Sequence, residues 1–215
     1  MGWLAVIAAA CAVALLAFWY VWFVRFNRQR GLGVLRWVEA ACAERGRVTH
    51  VWWAGPTRLL AELRFPPHMF EHARVIIRLL PRSVPANWAL RYWHREKETL
   101  TFEADLDVAP RFHLEVHHHR WSGNFDGSAG TSEWVVSRPG PVLLTSRSQW
   151  ERDLRPAIHA LMAARDTNFA RIRFSPESPH LSAILTIDSL PKQPADARWL
   201  EALRELAAGA STSRH

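Results

Sequence analysis

Histidines and carboxylates alternate along two neighbouring segments in the middle of the sequence. Side chains of a β-strand point alternately to its two sides, so each segment would place its polar residues on one side. Imidazole and carboxylate are ligands that zinc, manganese and iron accept in proteins. The pattern therefore indicates a divalent metal site as one hypothesis, formed by Glu103, Asp105 and Asp107 from residues 99–108 and by His113, His117 and His119 from residues 112–119.

A short loop between the two segments predicts that they pair as a hairpin. With residues 109–111 as the loop, Asp107 lies opposite His113 and Glu103 lies opposite His117, while the apolar side chains share the other face. A metal-bound water on this face would support a hydrolase. The alternative is a solvated face whose opposite charges pair across strands, where carboxylates raise the histidine pKa values and give a response to pH without metal. The sequence favours the solvated face, and it indicates no other cofactor.

The remaining candidates for chemistry are weaker. Cys42 falls on an apolar helical stripe, which favours packing over use as a nucleophile. Cys11 is the only other cysteine, and this excludes both a disulfide-rich scaffold and a multi-cysteine zinc module. The basic residues are spread along the chain without a recognised nucleic-acid motif, so we expect no nucleic-acid partner.

The composition describes a globular chain with a basic body. Hydrophobic residues make up 49% and charged residues 22% of the sequence, which excludes a wholly disordered or collagen-like chain. The formal net charge is +7, and all of the 27 basic residues except Lys97 and Lys192 are arginines. Every charged side chain lies after residue 24.

A long apolar run occupies the N-terminus. Residues 3–24 hold 22 consecutive positions without a charge. At about 1.5 Å per residue such a helix is about 33 Å long, close to the hydrocarbon thickness of a bilayer. Aromatic residues crowd its end and arginines follow, as is typical of a membrane–water interface. We predict a single transmembrane anchor at 1–24, with the interface residues Trp19, Tyr20, Trp22, Arg25, Arg28 and Arg30.

Two cleaved alternatives fit the N-terminus less well. A signal peptide has a basic start, a shorter apolar stretch and a small-residue cleavage site, whereas here no basic residue precedes the run and bulky aromatics follow it. A lipoprotein would be modified at Cys11, but the apolar run continues beyond that cysteine. An uncleaved anchor is therefore favoured.

The charge asymmetry predicts an orientation in the inner (cytoplasmic) membrane. Basic flanks of a transmembrane helix stay in the cytoplasm, so we expect the N-terminus outside and residues 25–215 inside. A periplasmic body is the alternative if this orientation is reversed. The bilayer is then one partner, and its anionic headgroups would meet Arg25, Arg28, Arg30 and Arg36.

Beyond the anchor, the patterns predict an α+β fold with a mainly antiparallel sheet and about three helices. Gly31 and Gly33 suggest a basic juxtamembrane hinge at 25–33, unless the helix runs on through them. The α+β domain follows at 34–208, either as one unit or as two helix-and-hairpin halves at 33–65 and 149–188, and a disordered tail at 209–215. Alternating segments predict strands at 47–54, 57–65, 73–80, 87–95, 99–108, 112–119, 134–137, 141–145, 168–174 and 181–188.

These patterns favour a membrane-anchored cytoplasmic interaction, scaffold or assembly domain without evident catalytic machinery. Its partner would be another membrane or cytoplasmic protein, because anchoring raises the effective concentration toward membrane neighbours and arginine and aromatic residues dominate interface hot spots. The alternative function is a membrane-tethered, metal-dependent hydrolase that uses the His/carboxylate face.

Overall fold

The computed structural model describes residues 2–43, 45–66, 70–110, 112–118, 134–137, 142–147, 169–190 and 198–211. These residues form a long N-terminal helix, a nine-stranded sheet and further helical segments, which confirms the predicted α+β class with a long apolar N-terminal helix. The helices are α1 (Gly2–Cys42), α2 (Pro85–Trp93) and α3 (Arg198–Ser211), and a short 3₁₀ helix covers Ile187–Ser189. The strands are β1 (Arg47–Trp53), β2 (Arg58–Arg64), β3 (Glu71–Arg78), β4 (Thr99–Asp105), β5 (Leu114–His118), β6 (Trp134–Ser137), β7 (Val142–Arg147), β8 (Phe169–Phe174) and β9 (Leu181–Thr186).

Helix α1 runs through both glycines of the predicted hinge without a break. Its first part is long and apolar enough to cross a membrane by length and composition, and none of that stretch is buried in the protein. Its last part carries a buried stripe at helical spacing, from Asn27 to Cys42. One continuous helix therefore combines an exposed apolar segment, residues 2–24, with a half that belongs to the folded domain.

The sheet follows the order β1-β2-β3-β4-β9-β8-β5-β7-β6, and every described pairing is antiparallel. The predicted hairpins β1–β2 and β8–β9 are confirmed by their registers. Strand β9 joins the two parts of the sheet, because it pairs with β4 on one side and with β8 on the other.

One face of the sheet holds the hydrophobic core. Residues paired across strands lie on the same face, so the row Ala61, Val75, Phe102, Ala183, Ile172 and Val116 is continuous and buried. The second half of α1 and helix α3 cover this face. Trp37 of α1 stacks on Trp199 of α3 with ring centroids 5.7 Å apart, and Trp199 also meets Phe102 of the sheet at 5.9 Å.

The predicted hairpin between 99–108 and 112–119 is wrong. Strand β4 pairs with β3 and β9, whereas β5 pairs with β7 and β8. The connection does not turn as a tight loop, because Pro110 and Phe112 are buried and the ring of Phe112 packs against Phe174 at 6.1 Å. Any two strands with the same alternation of apolar and polar residues can pair with their apolar side chains on one face. The alternation in these two segments therefore did not show which strands are neighbours in the sheet.

The strand predicted at 87–95 is also wrong, because these residues belong to α2. Pro85 occupies the first turn, where its missing N–H costs nothing, and helix-forming alanine and leucine follow. The alternating Trp88, Leu90 and Tyr92 resemble a strand pattern over this short span, but nine residues with Pro85 at the start form two and a half helical turns. Helix α3 extends to Ser211, three residues into the predicted tail, and residues 212–215 fall outside the described residues. Residues 149–168 of the second predicted helix-and-hairpin half also fall outside them.

Candidate functional site

The second face of the sheet carries the charged residues. On β2 and β3 its side chains lie opposite the buried core residues, although Ile76 is itself only 3% exposed, and the edge strand β1 follows the same faces through its register with β2. We call this surface the basic face. It consists of Arg47, His50, Trp52, Arg58, Leu60, Glu62, Arg64, Arg74, Ile76 and Arg78.

Two pairs of arginines face each other across strands of the basic face. Arg47 is the direct partner of Arg64, and Arg58 is the direct partner of Arg78. Among the described residues none of these four guanidinium groups has an ion-pair partner, and the Nε of Arg58 is buried without a hydrogen-bond acceptor. Like charges placed directly opposite each other destabilise a sheet. The arrangement therefore costs stability in the isolated chain and suits an anion that bridges each pair.

An apolar row separates the two arginine pairs. Trp52, Leu60 and Ile76 stand side by side on adjacent strands, and the rings of His50 and Trp52 are 5.3 Å apart. Along β2 the row and the following Glu62 occupy the positions between Arg58 and Arg64. A ligand lying along β2 would first meet the pair of Arg58 and Arg78 and then the apolar row. It would next meet the row that contains Glu62 and finally the pair of Arg47 and Arg64, over a distance of about 20 Å.

Strands β8 and β9 carry an open groove on the same face, with a volume of about 260 Å³. Arg171 and Arg173 reach it because they alternate with buried Ile172 and Phe174 on β8. Arg171 pairs with Glu115 of β5, whereas no described residue pairs with the exposed Arg173. The groove is lined by Glu103, Arg171, Arg173, Ser175, Glu177, Ser178, Pro179, Ser182 and Ile184.

Glu115 is the centre of a small charged cluster beside this groove. Its Oε1 atom lies 2.7 Å from Nε2 of His117 and also binds the guanidinium of Arg171. Partial burial alone would raise the pKa of Glu115, but the hydrogen bond from His117 and the charge of Arg171 outweigh it, so the pKa lies below its usual range. Glu115 is therefore a carboxylate at neutral pH that neutralises Arg171.

The structure separates the residues of the predicted metal site. Strands β9 and β8 lie between β4 and β5, so Glu103 and His117 belong to strands about 14 Å apart. Among the described residues, no three His, Cys, Asp or Glu side chains come close enough to hold one metal ion. His113 precedes β5, Asp107 follows β4, and His119 lies outside the described residues. The predicted placement of the carboxylates directly opposite the histidines is wrong. Metal binding by any of these residues stays a prediction.

The two carboxylates of β4 have other partners. Glu103 accepts a hydrogen bond from Nε of Arg74 at 2.6 Å, which completes a cross-strand pair on the basic face. Asp105 holds the loop between β8 and β9, because it accepts hydrogen bonds from Oγ of Ser178 at 3.0 Å and from the backbone N–H of His180 at 3.3 Å. These contacts position the loop that forms one end of the groove.

A buried carboxylate joins α1 to the sheet, a feature that the sequence analysis missed. Glu98 is 3% exposed and accepts hydrogen bonds from Arg30 of α1, from Arg82 and from the backbone N–H of Leu80. Fully buried Asn27 adds a bond from Nδ2 to the carbonyl of Leu80 at 3.0 Å. The sequence around Glu98 did not indicate that this carboxylate is buried, because its arginine partners lie 16 and 68 residues away along the chain.

The predicted interface residues fall into two groups. Tyr20, Trp22, Arg25 and Arg28 are exposed on α1. Arg30 instead binds Glu98 and Asp188, and Nε1 of Trp19 donates a hydrogen bond to the carbonyl of Arg82 at 2.9 Å. Contact of any of these residues with a membrane stays a prediction.

Comparison with known proteins adds no functional assignment. No protein-family model matches this sequence, and no curated protein matches it significantly.

Proposed function

We propose that this protein is a membrane-anchored interaction domain that binds an acidic segment of a partner protein on its basic face. The observation that supports the proposal is the pairing of Arg47 with Arg64 and of Arg58 with Arg78 without carboxylate partners among the described residues. A carboxylate placed between two guanidinium groups removes their repulsion and gains charge-assisted hydrogen bonds.

An acidic protein segment suits this surface better than a nucleic acid does. Half-buried Leu60 between the arginine pairs fits an aliphatic side chain, and Trp52 is the one large aromatic ring on the basic face for a base to stack on. A segment with acidic residues at both ends and apolar residues in between complements all of these groups.

The apolar segment of α1 and the basic residues after it support anchoring in the inner membrane, with the N-terminus outside and the domain in the cytoplasm. Because Glu98 ties α1 to the sheet, the anchor and the domain are joined as one unit. C-terminal fusions to green fluorescent protein and to alkaline phosphatase in a bacterial host test the orientation. Fluorescence without phosphatase activity is expected, and the reverse would place the domain outside.

The binding proposal is tested with the full chain in nanodiscs and a labelled peptide that has glutamates at both ends and leucines in the centre. We expect the variants Arg47→Glu/Arg64→Glu and Arg58→Glu/Arg78→Glu to bind it at least about tenfold more weakly, a loss of about 1.4 kcal/mol or more. The matched control is Arg36→Glu/Arg204→Glu, which makes the same charge change at exposed helical positions away from the basic face.

Three results would contradict the proposal. An equal loss of affinity in the control would show a general charge effect, and tighter binding of a single-stranded oligonucleotide would indicate nucleic acid instead. No binding by the wild-type chain at low salt would also count against it, because electrostatic attraction is strongest there.

A further inference from the structure

Helix α2 lies beside the end of the apolar segment of α1. The ring of Trp88 in α2 meets the ring of Trp19 in α1 with centroids 6.4 Å apart, and Nε1 of Trp19 binds the carbonyl of Arg82 just before the helix. Trp88 also contacts Tyr92 one turn further along α2, at 5.9 Å. The aromatic end of α1 and the start of α2 are thus one continuous apolar surface.

Most of the apolar surface of α2 has no protein partner among the described residues. None of its nine residues is buried, and Leu90, Tyr92 and Trp93 are 58%, 70% and 86% exposed. At 100° per residue, the apolar side chains of 84–93 form a wide arc around the helix, and only Asn87 and Arg91 lie on the remaining side. Trp88 uses one border of this arc to contact α1, so the rest of the arc faces away from the protein.

The position of α2 along α1 agrees with the surface of a bilayer. From Gly2 to Trp19 the helix rises about 26 Å, close to the hydrocarbon thickness of a membrane. Exposed Arg25 and Arg28 follow on α1 at the level of the headgroups, and exposed Arg95 and Lys97 follow α2. Aromatic side chains with a basic border are the composition of helices that lie in the membrane interface.

We propose that α2 lies in the headgroup layer of the membrane as an interfacial helix, with Leu90 and Trp93 directed into the acyl boundary. This inference rests on the proposed anchoring of α1, and it adds a second membrane contact that begins at Pro85, far along the chain from the anchor at 1–24. The contact fixes the tilt of the domain, because two separate points of one rigid unit then touch the bilayer. The basic face is consequently held in one orientation relative to the membrane.

Spin labels on the full chain in vesicles of neutral and anionic lipid test this placement. Ala89→Cys puts the label in the middle of the apolar arc and keeps Leu90, Tyr92 and Trp93 in place, and Asn87→Cys is the matched control on the polar side. Both variants carry Cys11→Ala, and buried Cys42 stays unlabelled because burial raises the pKa of its thiol to about 12. A label on native Cys11 reports the anchor.

We expect the label at 89 to be at least about fivefold less accessible to a water-soluble nickel relaxant than the label at 87, and to lose this protection in Trp93→Ser/Leu90→Ser. Equal accessibility at 87 and 89 with Cys11 protected would overturn the placement of α2 and leave the anchor intact. Accessibility at both 89 and Cys11 would overturn the anchor as well. Protection at 89 that disappears as the protein is diluted in lipid would indicate a second copy of the chain and would also overturn the proposal.

Discussion

The ring of Trp53 lies against Gly31 of α1, where a side-chain carbon would come within 2.7 Å of Cη2 of that ring. Gly31 is therefore a point of close packing between helix and sheet. Gly33, two residues later, faces open space. The two glycines that suggested a hinge have different roles inside one continuous helix.

This difference predicts opposite effects of one substitution. Gly31→Leu is expected to destabilise the domain by about 1–3 kcal/mol, because the added side chain must displace the Trp53 ring. Gly33→Leu is expected to be neutral or to stabilise by up to about 0.8 kcal/mol, since leucine has the higher helix propensity. Urea unfolding of both variants in the same detergent measures the difference. Equal effects would mean that Trp53 does not pack on α1.

Replacement of Glu98 is expected to loosen the junction between α1 and the sheet. Glu98→Gln removes the carboxylate that Arg30 and Arg82 share, although Arg30 keeps Asp188 and is only half-buried. We expect a loss of about 1–3 kcal/mol, at or below the cost of breaking a fully buried ion pair. Hydrogen exchange at residues 27–35 should increase. Glu96→Gln is the control, because Glu96 pairs with Arg91 on the surface and should cost less than about 1 kcal/mol. Similar losses in the two variants would disprove the special position of Glu98.

The arginine pairs predict that a change of charge stabilises the chain. Arg64→Glu places a carboxylate opposite Arg47 and should raise the free energy of unfolding by about 0.2–1 kcal/mol, since an attractive pair replaces a repulsive one. Added salt should stabilise the wild type more than the variant, because screening relieves the repulsion. Arg36→Glu on exposed α1 should show no gain. If Arg64→Glu destabilises the chain at low salt, the cross-strand repulsion is not significant.

The cluster of Glu115, His117 and Arg171 predicts a defined dependence of stability on pH. The pKa of Glu115 is lower in the folded state than its ordinary value of 4.5, so its contribution to stability is complete above that value. It is lost as the pH falls through the folded pKa, where the carboxyl takes up a proton. The difference in unfolding free energy between wild type and Glu115→Gln should therefore be complete above the ordinary value of 4.5 and should shrink as the pH falls from there through the lower folded pKa. A difference that does not change over this range would contradict the shift.

Local patterns predicted most of the strands correctly. In β2 the residues Leu59, Ala61 and Leu63 alternate with a face that is polar apart from Leu60, which predicts a strand with one buried face, and the structure has both. The same holds for β8 and β9, and the apolar run at residues 2–24 is helical as predicted, although the helix continues without a break to Cys42. Side chains repeat with a period of two along a strand and of 3.6 along a helix. The residues of one segment are therefore enough to predict its secondary structure and its buried face.

Tertiary structure alone decided which segments meet. The alternation in 99–108 and in 112–119 is compatible with any neighbour that has the same period. The free energy that selects β9 and β8 comes from residues 54 to 87 positions away. For the same reason Glu98 and Gly31 gain their roles only when α1 packs on the sheet. The sequence by itself determined most of the strands, their faces and the apolar segment. Long-range packing determined the strand order, the separation of the His/carboxylate groups and the position of α2 beside Trp19.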